Sequence, residues 1–122
     1  MSVKRYKLFA TCYDKRGRIL SYGENEYHRS HPLFKHFAVL AGESEEKIYK
    51  HAEFSAVIAA GKKDIHSITV ERFDNKGKPV LAKPCKTCTF MLKSFGVKVV
   101  NFTDNGGVTS KNIEDLYEEF GW

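Results

Sequence analysis

The sequence predicts one α/β domain whose mixed central sheet opens with an antiparallel hairpin. Two apolar, aromatic-rich segments separated by a short polar turn begin the chain, as in a β-hairpin. Downstream, segments with the two-residue alternation of strands are separated by segments with the helical spacing of apolar residues. Strands separated by helices must be joined by crossovers, so we expect part of the sheet to be parallel and helices to cover both faces.

The first half of the chain contains this hairpin and two expected helices. Residues 6–13 and 18–23 have the composition of strands, and residues 14–17 form a turn between them. Helical spacing of apolar residues then predicts a first helix over 33–40 and a second over 48–60. Because no linker, repeat or low-complexity tract interrupts the sequence, we expect a single domain over residues 1–122.

The second half continues the alternation of strands and helices. The expected elements are a strand at 65–73, a turn at 74–77, a helix at 85–95 opened by Pro84, and a strand at 97–102. Ser110 is expected to cap a last helix. Tyr117, Phe120 and Trp122 near its end are interpreted either as a packing stripe or as rings that stack on a bound base.

The chain is basic, with 20 Lys and Arg against 15 Asp and Glu and a net charge of +5. Part of the excess lies in residues 15–18 and in Lys62 and Lys63. This charge is compatible with a nucleotide or a nucleic acid strand and does not choose between them. No apolar run approaches the ~18 residues of a membrane-spanning helix, and no apolar stretch follows the basic N-terminus as in a secretory signal. We therefore expect a cytoplasmic protein that has no membrane partner.

Three residues form a candidate zinc site: His51, Cys85 and Cys88. Zn²⁺ prefers thiolate and imidazole ligands, and a catalytic site uses three protein ligands with water in the fourth position. Cysteines three residues apart share one face of a helix, and the positive end of the helix dipole favours thiolates. Glu53 lies two residues after His51 and points elsewhere on the same helix, so we assign it to proton transfer beside a water whose pKa zinc lowers.

Together these residues form the pattern H-x-E…P-C-x-x-C of the zinc deaminases, with Pro84 as its proline. His51-Ala52-Glu53 and Pro84-Cys85-Lys86-Thr87-Cys88 therefore resemble the cytidine deaminase-like superfamily of CMP/dCMP-type enzymes. The resemblance implies a three-layer α/β/α fold and hydrolytic removal of an exocyclic amine from a nucleobase. It also implies that Glu53 protonates the ring nitrogen and the leaving amine, while backbone groups at Ala52 and Cys85 contact the ring.

The segments Asn25-Glu26-Tyr27 and Ser30-His31-Pro32 resemble segments of short deaminases often carried by bacteriophages, and host cytoplasm is the implied location if the gene is phage-borne. Gly23-Glu24-Asn25 resembles a Gly-x-Asn segment whose Asn contacts the sugar, although Asn is also common in turns. Tyr27, His31 and Pro84 are expected to line the substrate pocket by the same resemblance. Because relatives commonly assemble, a homo-oligomer is also expected.

Three functions remain open from the sequence. The first is deamination of a small cytosine nucleoside or nucleotide. The second is deamination of an unpaired base in tRNA or in single-stranded DNA or RNA, which predicts a continuous basic track. The third is a non-enzymatic interaction domain with purely structural zinc, for which Cys12 or His66 would be the fourth ligand.

Overall fold

The computed structural model describes residues 7–24, 36–37, 39, 41, 52–61, 63–105 and 107–121. Its elements in chain order are β1 Lys7–Tyr13, β2 Ile19–Glu24, α1 Ala52–Ala60, β3 Ser67–Phe73, β4 Pro79–Val80, α2 Lys86–Ser94, β5 Val99–Asp104, β6 Gly107–Asn112 and α3 Ile113–Glu119. His36, Phe37 and Val39 are also helical, within the first predicted helix, whose other positions lie outside the described residues. Among the described residues, no helix has the length and apolar character needed to cross a membrane.

All six strands belong to one mixed sheet. The order is β2-β1-β3-β5-β6, and β4 pairs with the end of β3. Among the strands that the structure describes, only β3 and β5 pair in parallel, with Ser67 opposite Val99 and Val70 opposite Phe102. A parallel pair requires a crossover connection, which α2 supplies. The predicted α/β class, the mixed sheet and the antiparallel N-terminal hairpin are confirmed.

The directions of β3 and β5 define two ends of the sheet. We call the end at which both strands finish the carboxyl end, and the end at which both begin the amino end. The Lys98 N–H donates to the His66 carbonyl at 2.9 Å, so the connections into both strands lie side by side at the amino end. Since α1 and α2 lead back to these strands, both helices begin at the carboxyl end and finish at the amino end.

The core lies between the sheet and the helices. The largest fully buried side chains come from all three helices and from β3 and β5: Phe54, Ile68, Val70, Met91, Leu92, Val100 and Leu116. Burying a side chain of this size contributes about 1.5–3 kcal/mol. These contacts fix the two helix starts relative to the sheet.

Helix α1 approaches β2 unusually closely at Gly23. A Cβ atom on Gly23 would lie 2.4 Å from the Ala56 nitrogen and 2.7 Å from the Ala52 carbonyl oxygen. The Ser21 hydroxyl donates to the Ala56 carbonyl at 2.7 Å and ties the same pair together. Gly23 therefore sets the height of α1 above the sheet, because any side chain there would push the helix away.

One predicted helix start is wrong. Ser110 does not cap the last helix, because it lies inside β6 and is paired with Asn101 of β5. The cap is Asn112, whose Oδ1 accepts the Glu114 N–H at 3.0 Å. Helix α2 differs less from its prediction, beginning at Lys86 with Cys85 as its N-cap, so Pro84 precedes the cap.

Candidate active site

The starts of α1 and α2 bring Glu53 and Cys88 together at the carboxyl end of the sheet. Glu53 is the second residue of α1, and Cys88 is the third residue of α2. A hydrogen bond with Glu53 and the negative charge of Glu53 both act on the Cys88 thiol, so the two side chains are in contact range. Glu53 of the H-x-E segment and Cys88 of the P-C-x-x-C segment therefore lie close together in this fold.

The site is withdrawn from solvent. Glu53 is 3% exposed although it is ionisable, and Ala52 and Cys88 are fully buried. Pro84 is buried as well, while Cys85 is half-buried. Glutamate is rarely buried to this extent without a specific function or partner. Electrostatic interactions in such a site are much stronger than the same interactions in water.

Cys85 and Cys88 occupy the first turn of α2. Cys85 has the extended backbone of an N-cap, with φ −71° and ψ 172°, and its Sγ accepts the Cys88 N–H at 3.5 Å. The Cys85 carbonyl accepts the Thr89 N–H at 2.9 Å and starts the helix. Thr89 also donates through its hydroxyl to the Pro84 carbonyl at 3.5 Å. Both sulfurs are thereby fixed on the turn where the helix dipole is most positive.

The surroundings of Cys88 oppose ionisation of its thiol. The pKa of Cys88 lies well above its ordinary value, owing to its hydrogen bond with Cys85, to burial, and to the charges of Cys85 and Glu53. Two thiols and a carboxylate in a buried volume repel each other once they are ionised. A divalent cation among them reverses this repulsion, and thiolate sulfur is a preferred ligand of Zn²⁺.

The zinc ligand set is incomplete within the described residues. His51, the third predicted ligand, lies outside them, and no three His, Cys, Asp or Glu side chains within them are placed to hold a metal. Asn25, Tyr27 and His31, the predicted substrate contacts, also lie outside the described residues. The donors that are described, Cys85 and Cys88 with Glu53 beside them, fit Zn²⁺ in type and in burial.

Neither residue considered as a fourth ligand is placed beside Cys88. His66 lies at the amino end, where its N–H donates to the Tyr13 carbonyl at 2.8 Å. Cys12 is buried in β1 next to Ser21, and burial raises the pKa of its thiol. In the described part of the chain, the structure thus offers no fourth side chain to close the site around a structural ion.

Of the C-terminal aromatic residues, Tyr117 packs between two helices, and Phe120 follows a residue that lies near the candidate site. The Tyr117 ring lies 3.9 Å below the Lys93 ammonium, where α2 and α3 pack together. Glu119, just before Phe120, forms a 3.1 Å ion pair with Lys83, the residue that precedes Pro84. This pair brings the end of α3 close to the P-C-x-x-C segment, while Trp122 lies outside the described residues.

Gly23 is a positioning residue that the sequence did not identify as such. The sequence motif drew attention to the Asn25 that follows it, whereas the structure shows that Gly23 itself lets the first turn of α1 approach β2. A glycine within a predicted strand was the available signal, because strand glycines often mark close backbone approach.

Comparison with known proteins gives two findings. A family model described as the cytidine and deoxycytidylate deaminase zinc-binding region matches residues 4–104. The fold is similar to that of a mutant cytidine deaminase from Mycobacterium tuberculosis, with a TM-score of 0.54 and 17% sequence identity over 92% of this chain and 76% of that one. No curated protein is similar enough in sequence to count as a match.

Proposed function

The chain belongs to the cytidine and deoxycytidylate deaminase family, and we propose that it is a zinc-dependent hydrolytic deaminase of a cytosine nucleoside or nucleotide. The observation that carries this proposal is the contact between buried Glu53 and Cys88 at two adjacent helix starts. The family description, which names cytidine, deoxycytidylate and zinc, supports the choice of base and metal.

In this proposal His51, Cys85 and Cys88 hold Zn²⁺. When bound, the ion supplies Lewis-acid chemistry that lowers the pKa of a water molecule towards neutrality. Cys85 and Cys88 are suited to this role because α2 fixes both sulfurs on one turn. The withdrawal of Cys88 from solvent also keeps competing water away from its sulfur.

Glu53 carries the protons. Its carboxylate accepts a proton from the attacking water and delivers it to the ring nitrogen next to the amine-bearing carbon. As the C–N bond breaks, Glu53 transfers the second water-derived proton to the amine, which leaves as ammonia, while the new C–O bond becomes the product carbonyl. A carboxylate that is 3% exposed exchanges protons with substrate in preference to bulk solvent.

Backbone and side-chain groups around the site orient the base. The Ala52 N–H is proposed to donate to a ring carbonyl of the base. Pro84 and the main chain of Cys85 form the opposite wall. Asn25 is proposed to contact the sugar, and Tyr27 and His31 to line the pocket.

The test is ammonia release from the zinc-loaded chain with free bases, nucleosides, nucleotides and short single strands. Glu53→Gln preserves the size of the side chain and removes the proton carrier, so we expect kcat/KM to fall by roughly 10²–10⁴. Glu118→Gln is the matched control, because Glu118 is an exposed carboxylate on α3. Its activity should equal that of the unmodified chain.

The outcomes separate the open functions. Release from cytidine or deoxycytidylate that disappears in Glu53→Gln supports the proposal. Release only from single strands would replace it with polynucleotide deamination. Zinc bound at one equivalent with no release from any substrate, in a folded protein, would contradict an enzymatic role.

A further inference from the structure

A concave site lies at the amino end of the sheet, opposite the candidate active site. It is a pocket of about 450 Å³ formed by the β1–β2 turn, the segment 64–66 and the residues that follow α2. We call it the amino-end pocket. The seven residues of β3 separate it from the carboxyl end, which corresponds to about 20 Å along a strand. A substrate held at Glu53 therefore cannot occupy it.

The charge of the amino-end pocket is positive. Lys15, Arg16, Arg18 and Lys98 line it, against Asp14 and Asp64. Asp14 is engaged within its own turn, where it accepts the N–H groups of Arg16 and Arg18 at 2.9 Å and the Arg18 Nε at 2.8 Å. In the described part of the chain, Lys15, Arg16 and Lys98 form no ion pair, so their charges are available to a ligand.

One wall of the pocket is aromatic. Phe95, just after α2, is 41% exposed, so its ring is accessible to a ligand. Its ring centroid lies 5.8 Å from that of Phe37, and this contact supports it from one side. Phe95 also lines the pocket beside Lys98. An exposed ring next to several cations is the arrangement that binds a base by stacking and its backbone by charge.

Because its cations are exposed, the pocket is better suited to a ligand with several phosphate groups than to a ligand with one. Ion contacts made by exposed Lys and Arg side chains are individually weak and are screened by salt. One phosphate group would therefore be held poorly, whereas a strand gains from each phosphate that it places near Lys15, Arg16 and Lys98. We propose that the amino-end pocket binds single-stranded nucleic acid non-catalytically, with Phe95 stacking on a base.

The experiment measures fluorescence anisotropy of a labelled oligodeoxythymidylate of about twelve nucleotides, titrated with the zinc-loaded chain. We expect binding at about 50 mM salt that weakens steeply by about 200 mM. Arg16→Gln/Lys98→Gln should weaken binding at low salt about tenfold and flatten the slope of log K against log salt by about 1.4. Phe95→Leu, which keeps an apolar side chain against Phe37, should weaken binding without changing the slope.

Two controls make the test specific. Lys76→Gln/Lys78→Gln removes the same charge from the turn that joins β3 and β4, and binding should stay within twofold of the unmodified chain. Glu53→Gln should also bind normally, which separates this pocket from the candidate active site. Thermal unfolding checks that each variant is folded.

Three results would overturn the proposal. The first is absence of binding at low salt. The second is an equal loss in the Lys76→Gln/Lys78→Gln control, which would indicate only a general effect of net charge. The third is displacement of the strand by thymidine monophosphate at the same phosphate concentration, which would indicate a site for a free nucleotide.

Discussion

Two hairpin turns with the same backbone geometry lie at opposite ends of the sheet. In the β1–β2 turn, Asp14 Oδ1 accepts the N–H groups of residues two and four positions later, both at 2.9 Å. In the β3–β4 turn, Asp74 Oδ1 does the same at the same distances. Gly17 and Gly77 have φ angles of 80° and 79°. The pattern Asp-x-Lys/Arg-Gly-Lys/Arg is sufficient to specify this turn twice.

The surroundings of the two turns differ completely. The β1–β2 turn borders the amino-end pocket, which Arg16, Lys98 and Phe95 all line. The β3–β4 turn lies at the carboxyl end and leads through β4 towards the P-C-x-x-C segment. The local sequence therefore determines the conformation of a turn. The topology of the sheet determines which other residues lie next to it. The following predictions test how far the two ends are independent.

The largest expected effect comes from replacing one of two buried cysteines. Cys88→Ser should abolish zinc binding at the carboxyl end, because serine is a poor ligand where a thiolate is needed. Cys12→Ser is the control, since Cys12 is equally buried but lies in β1. Elemental analysis of folded protein should show zinc in the Cys12→Ser variant and essentially none in Cys88→Ser. Equal zinc content in both would refute the assignment of Cys88.

Gly23→Ala should be the most destabilising of the glycine substitutions. The new Cβ would lie 2.4 Å from the Ala56 nitrogen, which is backbone and cannot rotate away. We expect a loss of about 3 kcal/mol in the free energy of unfolding, at the upper end of the range for overpacking. Urea unfolding measures it. A loss of stability smaller than that caused by Gly17→Ala or Gly77→Ala would show that α1 can shift away from β2 without penalty.

Gly17→Ala and Gly77→Ala should cost the same amount as each other. Neither Cβ would meet any atom within 4 Å, so the cost is that of a positive φ alone. For an L-residue this is about 1–2 kcal/mol. The same urea measurements provide the comparison. Unequal losses would mean that the surroundings at each end of the sheet affect the stability of the turn located there.

The smallest expected effect is a dependence of stability on pH from the two turn aspartates. Backbone hydrogen bonds lower the pKa of both Asp14 and Asp74 below the ordinary value. Their contribution to stability is therefore complete above the ordinary pKa of about 3.9 and is lost as pH falls through the lowered native value. The destabilisation caused by Asp14→Asn or Asp74→Asn should accordingly shrink between about pH 6 and about pH 3.

The two aspartates should not be identical in this respect. The Arg18 Nε donates to Asp14 at 2.8 Å, whereas Lys78 contacts Asp74 only through its backbone within hydrogen-bond distance. The shift in urea midpoint at neutral pH should therefore be larger for Asp14→Asn. Equal shifts, or a larger shift for Asp74→Asn, would show that the exposed Arg18 contact contributes nothing.

Sequence patterns predicted most of the fold but not the elements that lack an apolar pattern. The strands β1, β3 and β5 carry alternating apolar residues that one face of the sheet buries, so periodicity identifies them, whereas β2 follows from the turn that precedes it. β6 reads Gly-Val-Thr-Ser-Lys-Asn and is held by its backbone pairing with β5, which periodicity does not reveal. The prediction that Ser110 caps a helix is wrong for this reason. β4 has two residues and is too short to leave a pattern.

The candidate site was predictable in part, because its chemistry resides in two short motifs. The H-x-E and P-C-x-x-C motifs pointed to Glu53 and Cys88, and the structure places these two side chains close together, while His51 lies outside the described residues. The role of Gly23 depends on a strand and a helix approaching in space, which spacing along the chain does not encode. Three segments distant in sequence form the amino-end pocket. The basic run at 15–18 therefore indicated a positive charge but did not reveal a binding pocket.

The most direct test of a deaminase site at the carboxyl end compares variants of both ends on one substrate. The kcat/KM for deoxycytidylate would be measured for the zinc-loaded chain, for Glu53→Gln and for Arg16→Gln/Lys98→Gln. We expect Glu53→Gln to lose roughly 10²–10⁴ in kcat/KM, while the amino-end variant stays within twofold of the unmodified chain. Full activity in folded, zinc-loaded Glu53→Gln would contradict the assignment of the reaction to this end of the sheet.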